Sequence, residues 1–303
     1  MKRVVYMGTP HYAKEILQTL IDNIDIEIPL VITQPDRKAG RKNELKAPDV
    51  KVLAEEESLM LLQPQRLSDE GIYQAIVDAQ PDYIVVAAFG QLLPKEILDI
   101  APCINLHASL LPQYRGASPV QQSLLNGDLF TGVTAMLMEE GLDSGPILGY
   151  RYFKIPKTMI LPDLMSRLGE DACELTIKTI EMFDKIKPIT QIRSEATHCK
   201  KIKKADGKIL FDNSLDLYDK YRAFYGWPGV FVENGTKIFD IELLETTGSN
   251  TMGEILAIED ASVSIGCKIG KVKIGKLQPP SKKVMDAKSY CVGRGLKVGH
   301  TLF

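Results

Sequence analysis

The chain has 303 residues, 45% of them hydrophobic and 25% charged, which excludes collagen-like, coiled-coil and disordered proteins. At about 150 residues per domain, this length predicts two domains. No run approaches the ~18 apolar residues of a transmembrane helix, and Gly8-Thr9-Pro10 interrupts the N-terminal segment too early for a signal peptide. The cysteines are scattered without a Cys-x-x-Cys pair, which argues against a disulfide scaffold or zinc site and predicts a cytoplasmic protein; they are Cys103, Cys173, Cys199, Cys267 and Cys291.

The net charge of −2 conceals an asymmetry along the chain. Residues 1–190 hold 19 basic and 26 acidic residues, whereas residues 191–303 hold 18 and 13. Between Asp260 and Asp286 there are six lysines and no acidic residue. The charge predicts either that the C-terminal part meets a polyanion or that it carries a solvated lysine-rich surface.

Short apolar runs alternate with helical patterns through residue 190. The predicted strands are Val4–Met7, Ile28–Thr33, Asp82–Phe89, Cys103–Leu106 and Val133–Met138, and the predicted helices are Pro10–Leu20, Val50–Glu57 and Leu161–Phe183. This alternation predicts a Rossmann-like α/β domain with a mostly parallel sheet. Ligands of such sheets bind outside the carboxyl ends of the strands.

The pattern changes after residue 187, where polar, lysine-rich sequence predicts a linker. Leu215–Phe224 has helical spacing, and five short strands are predicted beyond Pro228, at Val230–Glu233, Lys237–Leu244, Glu254–Ile258, Ser262–Gly266 and Lys271–Leu277. They predict a small β-barrel resembling an OB fold. The expected organisation is a catalytic domain over 1–189, a linker over 190–208 and a barrel over 209–303.

Several common catalytic and cofactor motifs are absent from the sequence. Gly8-Thr9-Pro10 lacks the later glycines of a dinucleotide fingerprint, and there is no Walker A, Gly-x-Ser-x-Gly or His-Glu-x-x-His motif. Of the four histidines, His107 stands out because it follows a predicted strand and shares strand parity with Asn105. An isolated Asn-x-His is more often structural than catalytic, so the choice between the two roles depends on the residues around it.

The segment from Asn105 to Pro119 contains Asn-x-His, Ser-Leu-Leu-Pro and Arg-Gly, and it is followed by Asp143 in a glycine-flanked loop. This order and spacing resemble the folate-dependent formyltransferases. Thr33–Arg41, Lys200–Ile209 and Arg222-Ala223-Phe224 with Trp227-Pro228 are similar to the methionyl-tRNA formyltransferases within that family. The resemblance covers nearly the whole chain in order.

The resemblance implies transfer of a formyl group from 10-formyltetrahydrofolate to the α-amino group of initiator methionyl-tRNA. Asn105, His107 and Asp143 would be catalytic: the first two donate hydrogen bonds to the developing oxyanion, and Asp143 orients the imidazole and helps to take the proton. No metal is implied. Arg115 either meets an anionic group or stabilises its loop.

The resemblance also implies two sets of binding residues. Folate would be bound by Ser109, Leu110, Leu111, Pro112, Val86, Phe89, Gly90 and Leu92. The tRNA would be bound by Arg37, Lys38, Arg41, Lys42, Lys46, Lys203 and Lys204, because phosphate contacts need cations. Without that resemblance, the alternative for the 34–47 segment is a mobile charged loop with no partner.

Two alternatives remain open on the sequence. A related formyltransferase acting on a small amine would share Asn105, His107 and Asp143 but would need neither the 34–47 loop nor a basic barrel. A nucleic-acid-binding protein with an inactive α/β domain would not need the three polar residues. The expected oligomeric state is a monomer.

Overall fold

A computed structural model describes residues 1–39 and 44–303. In chain order, the strands are β1 (Lys2–Gly8), β2 (Ile26–Ile32), β3 (Arg37–Ala39), β4 (Glu44–Lys46), β5 (Leu61–Leu62), β6 (Tyr83–Ala87), β7 (Cys103–His107), β8 (Arg115–Gly116), β9 (Phe130–Leu137), β10 (Ile147–Lys154), β11 (His198–Cys199), β12 (Val230–Phe231), β13 (Lys237–Glu245), β14 (Ile255–Ile258), β15 (Val263–Gly266), β16 (Lys271–Gln278) and β17 (Met285–Asp286). The α-helices are α1 (His11–Ile21), α2 (Asp49–Glu56), α3 (Ile72–Asp78), α4 (Lys95–Leu98), α5 (Pro119–Leu125), α6 (Leu161–Met182), α7 (Ser214–Ala223) and α8 (Ala287–Gly293).

The chain divides into two compact units. The first comprises Met1–Pro119, Phe130–Ile155 and Leu164–Cys199, and the second comprises Val120–Leu129, Pro156–Asp163 and Lys200–Phe303. Two short segments that precede residue 190 are therefore grouped with the C-terminal unit. The described residues contain no helix with the length and apolar character needed to cross a membrane.

The first unit is built on a seven-stranded sheet with the order β10-β9-β7-β6-β1-β2-β5. The pairs of β1 with β2 and β6, of β6 with β7 and of β2 with β5 are parallel, whereas β9 and β10 are antiparallel. The predicted Rossmann-like, mostly parallel sheet is confirmed. Because β1, β6 and β7 are parallel neighbours, the loops that follow them share one edge of the sheet.

The core of this unit follows from the apolar runs of the central strands. In β1 and β6 every residue from Val4 to Met7 and from Tyr83 to Ala87 is buried, as expected for strands covered on both faces. Helix α1 buries one stripe, formed by Tyr12, Ala13, Ile16, Leu17 and Leu20.

The second unit contains an antiparallel sheet with the order β12-β13-β16-β15-β14, and β17 pairs with β16. The prediction of a β-rich C-terminal part is confirmed. Alternate residues of β16, such as Val272 and Ile274, are buried, which is the period-two pattern of a sheet with one covered face. Helix α7 is capped at its N-terminus by Asn213, whose side chain accepts hydrogen bonds from the amides of Leu215 and Asp216.

The acid-free lysine segment is partly neutralised by acids of other strands. Strand β13 lies antiparallel to β16 and brings acidic residues beside its lysines. The resulting ion pairs are Lys271 with Glu245 at 2.9 Å, Lys273 with Glu242 at 3.6 Å and Lys276 with Asp240 at 3.6 Å. Lys273 also pairs at 3.0 Å with Glu259, which follows β14. The other three lysines of the segment, Lys268, Lys282 and Lys283, are exposed. Three of the six lysines in this segment are therefore paired with acidic residues in the folded protein.

Candidate active site

The candidate site is centred on Asp143, which contacts both other predicted catalytic residues. Asn105 and His107 lie on β7, and both are buried, with 8% and 7% exposure. Asn105 Nδ2 donates a 3.4 Å hydrogen bond to Asp143 Oδ1, and His107 Nδ1 lies 3.7 Å from Asp143 Oδ2. The strand parity that the sequence predicted therefore places both side chains against one carboxylate.

The carboxylate of Asp143 is also held by the backbone of the Arg-Gly segment. The amide of Gly116 donates a 2.8 Å hydrogen bond to Asp143 Oδ2. Gly116 has a φ of +114°, and a Cβ there would lie 2.5 Å from the carbonyl oxygen of Cys199. Glycine is thus required at this position both by its conformation and by the close approach of the backbone.

The imidazole of His107 is fixed by its second nitrogen. Nε2 lies 3.0 Å from the carbonyl oxygen of Tyr114. Because a carbonyl oxygen only accepts hydrogen bonds, Nε2 carries the proton of this bond. Nδ1, which faces Asp143, is therefore the nitrogen without a proton in the neutral imidazole.

A second network holds the loop around Ser-Leu-Leu-Pro. Thr134, which pairs with His107 across β7 and β9, donates a 2.6 Å hydrogen bond to the carbonyl of Ser109 and accepts one of 3.0 Å from the amide of Leu111. Ser109 in turn donates through its hydroxyl to the carbonyl of Gln113 at 2.7 Å. The loop between His107 and Arg115 is therefore held by Thr134 of β9 and by the hydrogen bond of Ser109 within the loop.

The segment that the sequence predicted as a linker contributes to the site. Strand β11 pairs in parallel with β8. The hydroxyl of Thr197 accepts a hydrogen bond from the amide of Tyr114 at 2.8 Å, and the thiol of Cys199 lies 3.4 Å from the carbonyl oxygens of Tyr114 and Arg115. Burial raises the pKa of the Cys199 thiol, which favours its protonated, hydrogen-bond-donating form.

Two predicted folate-binding residues lie inside the core. Val86 and Phe89 are 3% and 2% exposed and pack within an apolar core cluster that also contains Val5 and Ile84. Gly90 is exposed, with a φ of +85°, and Leu92 is exposed. Of the Ser-Leu-Leu-Pro residues, Ser109 and Leu111 are buried, and Leu110 and Pro112 are half-buried.

The predicted tRNA-binding residues are separated in the chain and only partly described. Arg37, Lys38 and Lys46 lie on the β3–β4 hairpin and are exposed. Lys203 and Lys204 are exposed residues of the second unit. Arg41 and Lys42 lie outside the described residues.

A cleft of about 240 Å³ lies at the base of the β3–β4 hairpin, lined by Thr9, Pro10, Gln34, Pro35, Arg37, Lys46, Ala47, Pro48 and Asp49. The side chain of Gln34 is buried, and its Oε1 accepts a 2.7 Å hydrogen bond from Arg37. Among the described residues, Nε2 of Gln34 has no hydrogen-bond partner. The cleft therefore has two cationic residues, Arg37 and Lys46, in its lining.

The geometry combines a carboxylate, an imidazole with a free nitrogen and a neutral amide donor at the carboxyl end of a parallel strand, which suits acyl transfer. Comparison with known families agrees: residues 1–180 match the formyl transferase model and residues 201–295 match the model of the formyl transferase C-terminal domain. The chain belongs to the formyltransferase family.

Similar proteins cover the full chain. A methionyl-tRNA formyltransferase of Sulfurovum sp. is 60% identical over 99% of both chains, and that of Nitratiruptor sp. is 50% identical over 99% of this chain and all of its own. Among solved structures, an N-formyltransferase from Helicobacter canadensis in complex with folinic acid and dTDP-3-aminofucose has a TM-score of 0.69 at 17% identity, covering 92% of this chain and 100% of its own. HypX from Aquifex aeolicus in complex with tetrahydrofolic acid has a TM-score of 0.62 at 18% identity and covers 98% of this chain and 48% of its own. These two structures share the fold.

Proposed function

We propose that this protein transfers the formyl group of 10-formyltetrahydrofolate to the α-amino group of initiator methionyl-tRNA, which supplies N-formylmethionyl-tRNA for translation initiation. The observation that carries the proposal is the contact of Asp143 with both Asn105 and His107 in a chain of this family. Full-length relatives at 50–60% identity that are methionyl-tRNA formyltransferases support this acceptor.

The reaction forms one carbon–nitrogen bond and breaks another. The neutral α-amine attacks the formyl carbon, and the electron pair of the carbonyl moves to oxygen. Asn105 donates a hydrogen bond to this oxyanion and, being an amide, does not titrate. The bond from the carbon to N10 of the folate then breaks as the carbonyl re-forms.

The proton of the amine passes to N10 through His107. Since Nε2 donates to Tyr114, Nδ1 accepts the proton from the attacking amine and returns it to the leaving nitrogen. Between these two proton transfers, the Nδ1 proton of the imidazolium faces Asp143, and the carboxylate stabilises the positive charge.

The proposed folate contacts differ in kind among the predicted residues. Gly90 and Leu92 are exposed and can touch the pterin directly, whereas Val86 and Phe89 shape the slot from the core side. Ser109, Leu110, Leu111 and Pro112 form the loop between the pterin slot and His107.

The proposed tRNA contacts are Arg37, Lys38 and Lys46 near the cleft, together with Lys203 and Lys204 of the second unit. The two cations of the cleft, Arg37 and Lys46, fit phosphate. Arg41 and Lys42 stay predictions from the sequence. The domain limits of 1–189 and 209–303, a monomeric state and a cytoplasmic location are part of the same proposal.

An acceptor panel tests this function. Purified protein is incubated with 10-formyltetrahydrofolate and, separately, methionyl-tRNA of the initiator, methionyl-tRNA of the elongator, a nucleotide-linked amino sugar or glycinamide ribonucleotide. We expect formylmethionine on initiator tRNA at a rate at least ~100-fold above the small amines. Faster formylation of a small amine would support that alternative instead, and tRNA binding without formylation would support an inactive binding protein.

A further inference from the structure

Gln191 is a buried glutamine in the segment that the sequence predicted as a linker, and it touches both loops of the candidate site. We infer that Gln191 is a positioning residue that sets the placement of Asp143 against Asn105 and His107. This inference rests on the proposed function, because it concerns the same three residues.

The side-chain amide of Gln191 uses its whole hydrogen-bonding capacity at the site. Oε1 accepts hydrogen bonds from Nε and Nη2 of Arg115, at 3.0 and 2.7 Å. Nε2 donates to the carbonyl oxygens of Asp143 and Gly145, at 2.9 and 2.7 Å. Because a guanidinium only donates and a carbonyl only accepts, one orientation of the amide satisfies all four partners.

This arrangement links the two loops that supply the site. Arg115 is adjacent to Gly116, whose amide holds the Asp143 carboxylate, and Gln191 holds the Asp143 backbone. A fully satisfied buried network of this kind fixes one geometry. The sequence left the role of Arg115 open, and these contacts favour the stabilisation of its loop.

The backbone of Asp143 is where such support is needed. Its φ of +48° lies in the left-handed region, which non-glycine residues adopt at a cost. The hydrogen bond from Gln191 to the Asp143 carbonyl helps to hold this conformation, and so keeps Oδ1 toward Asn105 and Oδ2 toward His107. A displacement of about 1 Å at such a site can cost ~100-fold in rate.

Two variants separate the links that Gln191 makes. Gln191→Met has a similar length and removes all four hydrogen bonds. Gln191→Glu keeps an acceptor for Arg115 but removes the two donors to Asp143 and Gly145. We expect kcat for formylation of methionyl-tRNA to fall about 10- to 100-fold in both variants, while KM for the tRNA changes less than about threefold. Gln18→Met, at an exposed hydrogen bond to Asp22 on α1, serves as the matched control and keeps wild-type kcat.

A double-mutant cycle with Asp143→Asn distinguishes positioning from general support. If Gln191 acts through Asp143, Gln191→Met costs much less in the Asp143→Asn background than in the wild type. Circular dichroism and thermal unfolding verify that each variant is folded under the assay conditions. Should Gln191→Met unfold, the cycle is run with Gln191→Glu.

The outcomes separate this inference from the proposed function. If Asp143→Asn loses activity while both Gln191 variants stay within about threefold of wild type, the positioning role is overturned and the catalytic assignment stands. Additive losses in the cycle, or a loss in Gln191→Met that Gln191→Glu restores, also overturn it. If Asp143→Asn keeps full activity, the catalytic assignment fails and the role of Gln191 falls with it.

Discussion

Replacing Asp143 by asparagine removes one charge at nearly constant shape, which makes it an informative perturbation of the site. An asparagine can keep its oxygen toward the Gly116 amide, preserving the 2.8 Å hydrogen bond. Its NH₂ group then faces Nδ2 of Asn105, so that a hydrogen bond that is already long at 3.4 Å is lost. The backbone anchor therefore survives the substitution.

What the substitution removes is the interaction of the carboxylate with the imidazolium. At the observed 3.7 Å and an effective dielectric constant of about 20, that attraction is worth about 4 kcal/mol. Since about 1.4 kcal/mol corresponds to a tenfold change in rate, the upper limit of the loss is about 10³-fold. Part of this attraction is replaced by the asparagine dipole, so we expect kcat to fall about 10²- to 10³-fold.

The assay is single-turnover formylation of methionyl-tRNA at saturating 10-formyltetrahydrofolate, with acid-stable formylmethionine quantified over time. Asp184→Asn, at an exposed carboxylate of the same unit, is the matched control and keeps wild-type rates. A rate within about threefold of wild type for Asp143→Asn would refute the role given to the carboxylate. So would a loss explained fully by unfolding in parallel thermal melts.

Three further predictions address binding, acid stability and the thiols. Lys46→Ala should lower the slope of log KM for methionyl-tRNA against log salt by about 1 without changing KM for folate, and an unchanged slope would exclude a phosphate contact. Hydrogen bonds from Gln63 and Lys51 lower the pKa of Asp36 in the folded protein. Ionised Asp36 therefore stabilises the folded protein at pH values above its unfolded-state pKa, and this contribution is lost as the pH falls through the lower folded-state pKa. In urea titrations, the free energy of unfolding of the wild type should therefore fall relative to that of Asp36→Asn below about pH 4. A difference in this free energy that stays constant with pH would contradict the prediction. Burial raises the pKa of all five thiols, to about 12 in Cys103 and about 11 in Cys267. A thiol reagent at pH 7.5 should therefore label the native protein slowly and the urea-unfolded protein fully. Rapid labelling of the native protein would be inconsistent with this burial.

The sequence was sufficient for the elements that bury continuous or periodic apolar runs. The strands from Lys2, Tyr83 and Cys103 and the helix from His11 lie where their patterns predicted. Strand β10 was not predicted, because it lies at the end of the strand order and only its first two residues, Ile147 and Leu148, are buried. Helix α3 is short and is preceded by the N-cap residue Gly71, whose left-handed conformation propensity does not reveal.

The candidate site was predictable in part. The parity of Asn105 and His107 follows from strand geometry, and the family pattern points to Asp143. Gln191 and Cys199 carried no such signal, because polar sequence beyond a helix looks like a linker until its pairing with the Arg-Gly segment is seen. The ion pairs of Lys271 and Lys273 were hidden for the same reason, since their partners are distant in sequence and adjacent only across the sheet.

The central claim is that Asn105 and His107 together carry formyl transfer to methionyl-tRNA. The most direct measurement is the single-turnover rate of Asn105→Ala and His107→Ala, each confirmed as folded by thermal melting and supplied with saturating substrates. We predict that each variant loses about 10²- to 10³-fold in rate while formylmethionyl-tRNA remains the product of the wild type. Near-wild-type turnover in both variants would contradict the account.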